Sequence, residues 1–286
     1  MDLSIIIVNY GTYELTKQTV MSVEDTVKTI DYEIIIVDND SPDDSFELLN
    51  NDFKDDKKIQ LIQNSHNDGF AIANNIGIRQ SKGDYVLLLN SDVVVKENTI
   101  EECLDYLESH KEIGCLGCRV MLPDGQLDKA CRRSFPTFTV SFYRMTGLSK
   151  IFPNSPRFNR YNMSYLDDSK VYPVDCVVGA FMLMPRKVLD ECGLLDESYF
   201  MYGEDIELCY NTKQLGYEVY YYGKSEIIHY KGASGKNKRL LYEFHNSMEI
   251  FYNKHYKQSD NVLINIFTYM GIWTLYYLKL IRLKLS

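Results

Sequence analysis

The sequence predicts an α/β fold in which a mostly parallel central sheet is flanked by helices and followed by a C-terminal helical appendage. Three observations predict it. Short, β-branched, almost uninterrupted apolar runs recur at residues 3–8, 33–37 and 85–89, the pattern of strands covered on both faces. The stretches between them carry apolar residues near the helical period. Strand alternating with helix is the signature of βαβ units.

In chain order, helices are expected at 14–27, 44–52, 71–80 and 97–110, from that spacing and from capping residues at their starts. From 121 to 173 the pattern weakens, with Pro123, Pro136, Pro153, Pro156 and a polar Tyr/Asn/Ser stretch at 158–169. This reads as one long loop region, and long loops in compact domains are often functional. Regular structure returns with a strand at 175–184 containing Gly179-Ala180, a helix at 204–215, and short strands at 218–222 and 226–230. No internal repeat is visible.

The 286 residues carry a net charge of -9, with 45% apolar and 13% aromatic residues. That is a globular composition, which excludes a disordered, collagen-like or polytopic membrane chain. The acidic balance argues against nucleic-acid binding. The charge is uneven: residues 223–286 hold ten Lys/Arg against four Asp/Glu, a local +6 that leaves -15 for residues 1–222. The N-terminus has neither basic leader nor small-residue cleavage site, so no signal peptide is expected. Seven cysteines, several within apolar runs, read as reduced thiols of a cytoplasmic protein. Cys115 and Cys118 form a C-x-x-C with no second pair or His nearby, too sparse for zinc.

Ligands of open α/β sheets sit beyond the carboxyl ends of strands. Those ends read Asn9-Tyr10-Gly11, Asp38-Asn39-Asp40-Ser41 and Asn90-Ser91-Asp92. Each alone could be a turn or a helix cap; together they point to one crevice. Asn90-Ser91-Asp92 offers hard oxygen ligands suited to Mg²⁺ or Mn²⁺ on a diphosphate. Asn67-Asp68-Gly69-Phe70-Ala71 and Asn74-Asn75-Ile76-Gly77 combine close backbone approach with amide donors for a nucleotide or phosphate. Glu204-Asp205 opens a helix after the aromatic segment Tyr199-Phe200-Met201-Tyr202, where a carboxylate pKa can rise toward that of a general base. The bland alternative is acidic residues at a helix N-terminus, which the macrodipole favours.

Taken together, the order Ser4-Ile5-Ile6-Ile7-Val8-Asn9-Tyr10, Val37-Asp38-Asn39-Asp40-Ser41, Asn67-Asp68-Gly69-Phe70-Ala71, Asn90-Ser91-Asp92, Gly179-Ala180-Phe181, Glu204-Asp205 and His229 resembles glycosyltransferase family 2 over about residues 1–235. Pro123-Asp124-Gly125, Arg132-Arg133-Ser134-Phe135-Pro136-Thr137 and Leu195-Asp196-Glu197-Ser198-Tyr199-Phe200-Met201-Tyr202 resemble its rhamnosyltransferase-type branch. The resemblance implies a GT-A fold at 1–235, inversion, and Mg²⁺ or Mn²⁺ as cofactor. Carried over, Val8, Tyr10 and Asn39 line the base pocket with Asp38 beside base or ribose, and Asn9, Asn67, Gly69, Asn75, Asn90 and Ser91 complete the nucleotide-sugar site. Asn39 stands where the family often has Asp, and Asn90 opens a motif that is commonly Asp-x-Asp. Asp92 is then the one charged metal ligand of that motif, with His229 as the second protein ligand. Asp205 matches the general base, with Glu204 beside it; which of the two takes the proton is not fixed by sequence. Gly179, Ala180, Glu204, Arg132 and Arg133 are expected at the acceptor.

The resemblance implies transfer of L-rhamnose from dTDP-L-rhamnose to a polyprenyl-diphosphate-linked glycan in bacterial surface-polysaccharide synthesis. A UDP-hexose or UDP-N-acetylhexosamine donor is the alternative, and a non-catalytic nucleotide- or glycan-binding subunit is a third reading. In the 236–286 segment, residues 262–278 are mostly apolar, but about 17 residues is the lower limit for a span, and Asn265, Thr268 and Thr274 interrupt them. An interfacial helix with a basic end, on the inner face of the cell membrane, fits better. The alternative is a helix packed on the domain or in a homodimer.

Overall fold

The computed structural model describes residues 1–231 and 238–285. The first half runs β1 (Leu3–Asn9), α1 (Tyr13–Thr26), β2 (Tyr32–Asp38), α2 (Ser45–Phe53), β3 (Ile59–Gln63), α3 (Phe70–Gln80), β4 (Tyr85–Asn90), β5 (Val93–Val95), α4 (Thr99–Ser109) and β6 (Ile113–Met121). After a 3₁₀ turn at Lys129–Cys131 come β7 (Arg132–Arg133), α5 (Phe138–Met145), α6 (Leu148–Ile151), β8 (Val171–Val174), β9 (Cys176–Val177), β10 (Phe181–Pro185), α7 (Arg186–Cys192), α8 (Glu204–Gln214), β11 (Glu218–His229), α9 (Lys238–His255) and α10 (Val262–Leu285).

The main sheet has the order β3-β2-β1-β4-β10-β6-β11-β5, with β8 also on β11. The expected parallel character describes its N-terminal half, where β3, β2, β1 and β4 all run parallel. Beyond β4 the sheet is mixed, because β10 runs antiparallel to both β4 and β6. Every residue of β1 is buried, with Ile5, Ile6 and Ile7 at 0% exposure. Burying such a side chain contributes roughly 1.5–3 kcal/mol, so the apolar runs that signalled the strands also hold them at the centre.

Several expectations are corrected. Residues 121–173 are not one loop: the 3₁₀ turn, β7, α5, α6 and β8 lie there, each too short to leave a periodic signal. The strand expected at 175–184 breaks at Val178-Gly179-Ala180, and its halves join different sheets. The two strands expected at 218–222 and 226–230 are one β11, with a register shift between Tyr222 and Glu226. β3, β5, β6 and α7 gave no recognised signal.

Cys115 and Cys118 are buried in β6. Three residues apart in a strand, they face opposite sides and cannot share a metal. All seven thiols are free.

The boundary at 235/236 falls outside the described residues. Beyond it, α9 packs on the domain: buried Phe251 meets the rings of Phe135 and Tyr210, and His255 Nε2 lies 2.8 Å from Glu207 Oε2 of α8. α10 packs in turn on α9, where Trp273 Nε1 donates to Glu249 Oε2 at 2.7 Å. Among the described residues no helix is long and apolar enough to cross a membrane.

Candidate active site

Parallel register sets the crevice. Asn9 pairs with Asp38 and Val8 with Asn90, so the polar ends of β1, β2 and β4 lie side by side, as the strand-end argument requires. The cleft there has a volume of about 180 Å³.

One wall is built from amides. Asn39 is buried; its Nδ2 donates to Asn67 Oδ1 at 3.0 Å and to the Gly69 carbonyl at 3.3 Å, and its Oδ1 accepts from Asn64 Nδ2 at 2.9 Å. Gly69 has φ +104°, and a Cβ there would stand 2.4 Å from the Phe200 carbonyl oxygen. Only glycine lets that segment close on the start of α3, where Phe70 N–H donates to Phe200 O at 2.7 Å. Val8, Tyr10, Asn39, Asn67 and Gly69 line the cleft. Asn9 and Asp38 stand just behind it, fully buried. Asn9 Nδ2 donates to Asp38 Oδ2 at 2.6 Å, and Ser41 Oγ donates to the same oxygen at 2.6 Å. These two brace the strand ends.

Asn90, Ser91 and Asp92 form the floor. Antiparallel pairing of β5 with β11 sets His229 opposite Val93, which brings His229 Nε2 to 3.0 Å from Asp92 Oδ1 and 3.3 Å from Asn90 Nδ2. Asn90 Oδ1 is buried without a hydrogen-bond partner. Neighbouring ligands of an octahedral Mg²⁺-like ion stand about 3 Å apart, given bonds of about 2.1 Å. The donor set, one carboxylate, one imidazole and one unpartnered amide oxygen, therefore fits a divalent cation. Among the described residues no group of three or more His, Cys, Asp or Glu side chains is placed to hold a metal, so a cation here would need further ligands from a diphosphate or water.

Glu204 and Asp205 open α8 after Gly203 at φ +87°. Asp205 Oδ2 accepts from Arg133 Nη2 at 2.6 Å and from the Gly179 N–H at 3.2 Å. Burial works against the Arg133 charge, but the Asp205 carboxylate outweighs it and raises the guanidinium pKa. Glu204 has no such partner: its Oε2 is buried and unpaired. Burial first, and the Asp205 charge second, push its pKa up to about 8. Ala180 acts through its carbonyl, which accepts from Asn90 N–H at 3.2 Å, so the Gly179-Ala180 segment before β10 ties the floor to Asp205.

Besides Asn9 and Asp38, which are buried behind the cleft instead of lining it as expected, Arg132 and Asn75 lie elsewhere. Arg132 is 2% exposed and donates to the carbonyls of Leu166 and Asp167 at 2.8 and 3.1 Å; adjacent strand residues face opposite sides, so only Arg133 reaches the carboxylates. Asn75 is spent on Leu195, whose carbonyl takes its Nδ2 at 2.8 Å and whose N–H donates to its Oδ1 at 3.0 Å. It joins α3 to the 194–199 segment. Sequence reasoning missed Thr12 and Arg239, both on the cleft wall. The Arg239 guanidinium lies over the Phe200 ring at 3.9 Å; the basic tail was the one available signal.

The family model for glycosyl transferase family 2 matches residues 4–193. The chain belongs to glycosyl transferase family 2. It is 28% identical over 231 residues to the low-salt glycan biosynthesis hexosyltransferase Agl10 of Haloferax volcanii, covering 79% of this chain and 66% of that protein. It is 28% identical over 229 residues to the rhamnosyltransferase WbbL of Escherichia coli, covering 69% and 82%. The N-acetylglucosaminyl-diphospho-decaprenol L-rhamnosyltransferase of Mycobacterium tuberculosis is 28% identical over 151 residues, 53% of this chain and 48% of that one. This chain thus spans less than two thirds of the haloarchaeal and mycobacterial relatives and resembles the rhamnosyltransferase-like branch of the family. Among solved structures, GalNAc-T7 with UDP, GalNAc and Mn²⁺ superposes at TM-score 0.65 and 18% identity, over 87% of this chain and 48% of that one. The Pyrobaculum calidifontis mannosyltransferase PcManGT with GDP-Man and Mn²⁺ does so at 0.63 and 13%, over 91% and 64%. The fold of this family 2 chain is GT-A.

Proposed function

We propose that this chain is an inverting, metal-dependent glycosyltransferase that moves L-rhamnose from dTDP-L-rhamnose to a polyprenyl-diphosphate-linked glycan. The observation that carries the reading is the crevice lined by the Asn39 amide cluster and floored by Asn90 and Asp92, with His229 against Asp92 and the Gly179-Ala180 segment linking that floor to the Arg133–Asp205 pair, in a family 2 chain. Asn39 and Asn67 hold the base, and Tyr10 covers it at the lip. Asp92 and His229, with Asn90 Oδ1, would hold Mg²⁺ or Mn²⁺, which neutralises a departing diphosphate when bound.

Asp205 is the base. Arg133 and the Gly179 N–H fix one of its oxygens, so the carboxylate is oriented to accept the proton of an acceptor hydroxyl attacking the anomeric carbon in line. Glu204, with its pKa near 8, is mostly protonated at neutral pH and serves as a hydrogen-bond donor to the acceptor rather than a second base.

The outer face of α10 supports a peripheral membrane site. Leu263, Ile266, Phe267, Met270, Leu278 and Ile281 are exposed on it, and Arg282 and Lys284 stand in its last turn, as on a helix lying in an anionic interface; Lys279 turns inward over the Phe244 ring of α9. Phe267→Asp with Met270→Asp is expected to abolish co-sedimentation with anionic vesicles; loss of a dimer in solution instead would assign the face to a second copy.

Thermal shift with Mn²⁺ and each nucleotide tests the donor, since a ligand that binds only the native state stabilises it. The expected result is a larger shift with dTDP than with UDP. The reverse would move the donor to a UDP-hexose, a reading kept by the hexosyltransferase name of the haloarchaeal relative.

A further inference from the structure

We infer that Asp128 is a positioning residue for the cation site, selecting the tautomer and ring orientation of His229, with Lys231 holding it in place. The inference rests on Asp92 and His229 being the protein ligands.

Asp128 lies outside the cleft wall, directly after the reversal that follows β6, and its N–H donates to Val120 O at 2.8 Å. The side chain is 4% exposed. The Lys231 ammonium bridges its two oxygens, which otherwise face different groups. Oδ1 caps the 3₁₀ turn by accepting from Ala130 N–H at 3.0 Å and also accepts from Lys231 Nζ at 2.9 Å. Oδ2 lies 2.8 Å from the Lys231 ammonium and 4.0 Å from His229 Nδ1. That Nδ1 is buried and has no hydrogen-bond partner, although the rest of the ring is fully engaged at Asp92 and Asn90.

An imidazole nitrogen that ligates a cation must be bare, so the single proton of the neutral ring must sit on the other nitrogen. His229 Nε2 is the atom that faces Asp92, so ligation requires the Nδ1–H form. That N–H points into a buried space whose near acceptor is Asp128 Oδ2. Closing 4.0 Å to a hydrogen bond of about 3 Å asks for a ring shift of about 1 Å. Metal-bound histidines almost always donate their second N–H to such an acceptor, and its loss typically weakens metal binding 10–100-fold. Lys231 keeps the buried carboxylate from standing as an uncompensated charge.

Asp128→Asn separates this role from the cap, because the Asn oxygen can still accept from Ala130 N–H. Mn²⁺ titrated into the full chain, with and without dTDP and followed by the electron paramagnetic resonance of free Mn²⁺, is expected to show 10–100-fold weaker binding in Asp128→Asn, with the metal-free variant still folding cooperatively and its melting temperature lowered only by the loss of the half-exposed Lys231 ion pair. Long-range ¹⁵N spectra with Mg²⁺ are expected to show His229 as the Nδ1–H tautomer in the wild type and as a mixture in the variant. His229→Ala is the control. If it leaves Mn²⁺ affinity unchanged, the ligand assignment fails and the inference falls with it. If it weakens binding while Asp128→Asn stays within twofold of wild type, the positioning role alone is overturned.

Discussion

The amide wall of this cleft and the carboxylate wall beyond its floor are built on different principles. Most of the amide wall comes from residues 1–95, where parallel strands in fixed register set Asn9 beside Asp38 and Val8 beside Asn90, and Phe200, Met201 and Arg239 close it. The carboxylate side is assembled from distant pieces: Arg133 meets Asp205 across 72 residues, Glu207 meets His255 across 48, and Phe135 packs on Phe251. The first wall follows from local pattern and the second from tertiary closure. On the function proposed above, the amide wall is expected to bind nucleotide when the carboxylate side is damaged, while turnover needs both.

The sharpest way to separate the two is Asp205→Asn. Turnover is expected to fall about 10²–10⁴-fold, the usual contribution of a positioned base, while calorimetric donor affinity stays within a few-fold. Equal losses in both would mean that the two walls are not separable. Phe251→Ala tests the closure itself. A buried Phe truncated to Ala costs about 3–5 kcal/mol, read as a lower urea midpoint, and nucleotide binding by the protein that remains folded is expected to persist.

On the amide side, Gly69→Ala forces a side chain into φ +104° and against Phe200 O. It is expected to lose about 1–3 kcal/mol and, unlike Phe251→Ala, to weaken nucleotide binding directly. The smallest effect is electrostatic. Glu204 ionises near 8 in the fold and near the ordinary carboxylate value when unfolded. Its contribution to stability is therefore fully present at acid pH and lost progressively as pH rises toward 8. Stability of wild type relative to Glu204→Gln should decline across that window and level off above it; a flat difference would contradict the buried, unpaired carboxyl.

The same contrast decides what could be read from sequence. β1, β2 and β4 were legible because strands buried on both faces are apolar without interruption, and the residues that follow them are the ligand crevice by geometry. β3 was not, because its residues are half-buried or exposed and Gln60 and Gln63 break the run. Arg132 and Arg133 are indistinguishable as neighbours in a sequence; only the strand they form, and the partner 72 residues on, gives one to a loop and the other to Asp205. Asp128 carried no signal either, since a lone Asp before a short turn is an ordinary cap. α9 was readable and went unplaced: Leu241, Phe244, Met248, Phe251 and Tyr252 recur at helical spacing, but nothing local says that this face covers α8.

On the proposed function, this cleft transfers a sugar from a nucleotide diphosphate carrier. Nucleotide release from a panel of dTDP- and UDP-sugars, with Mn²⁺ and a polyprenyl-diphosphate-linked acceptor, tests it most directly. Acceptor-dependent dTDP release from dTDP-L-rhamnose is expected, and it should disappear in Asp205→Asn. No release from any donor by the wild type, or undiminished release by Asp205→Asn, would contradict it.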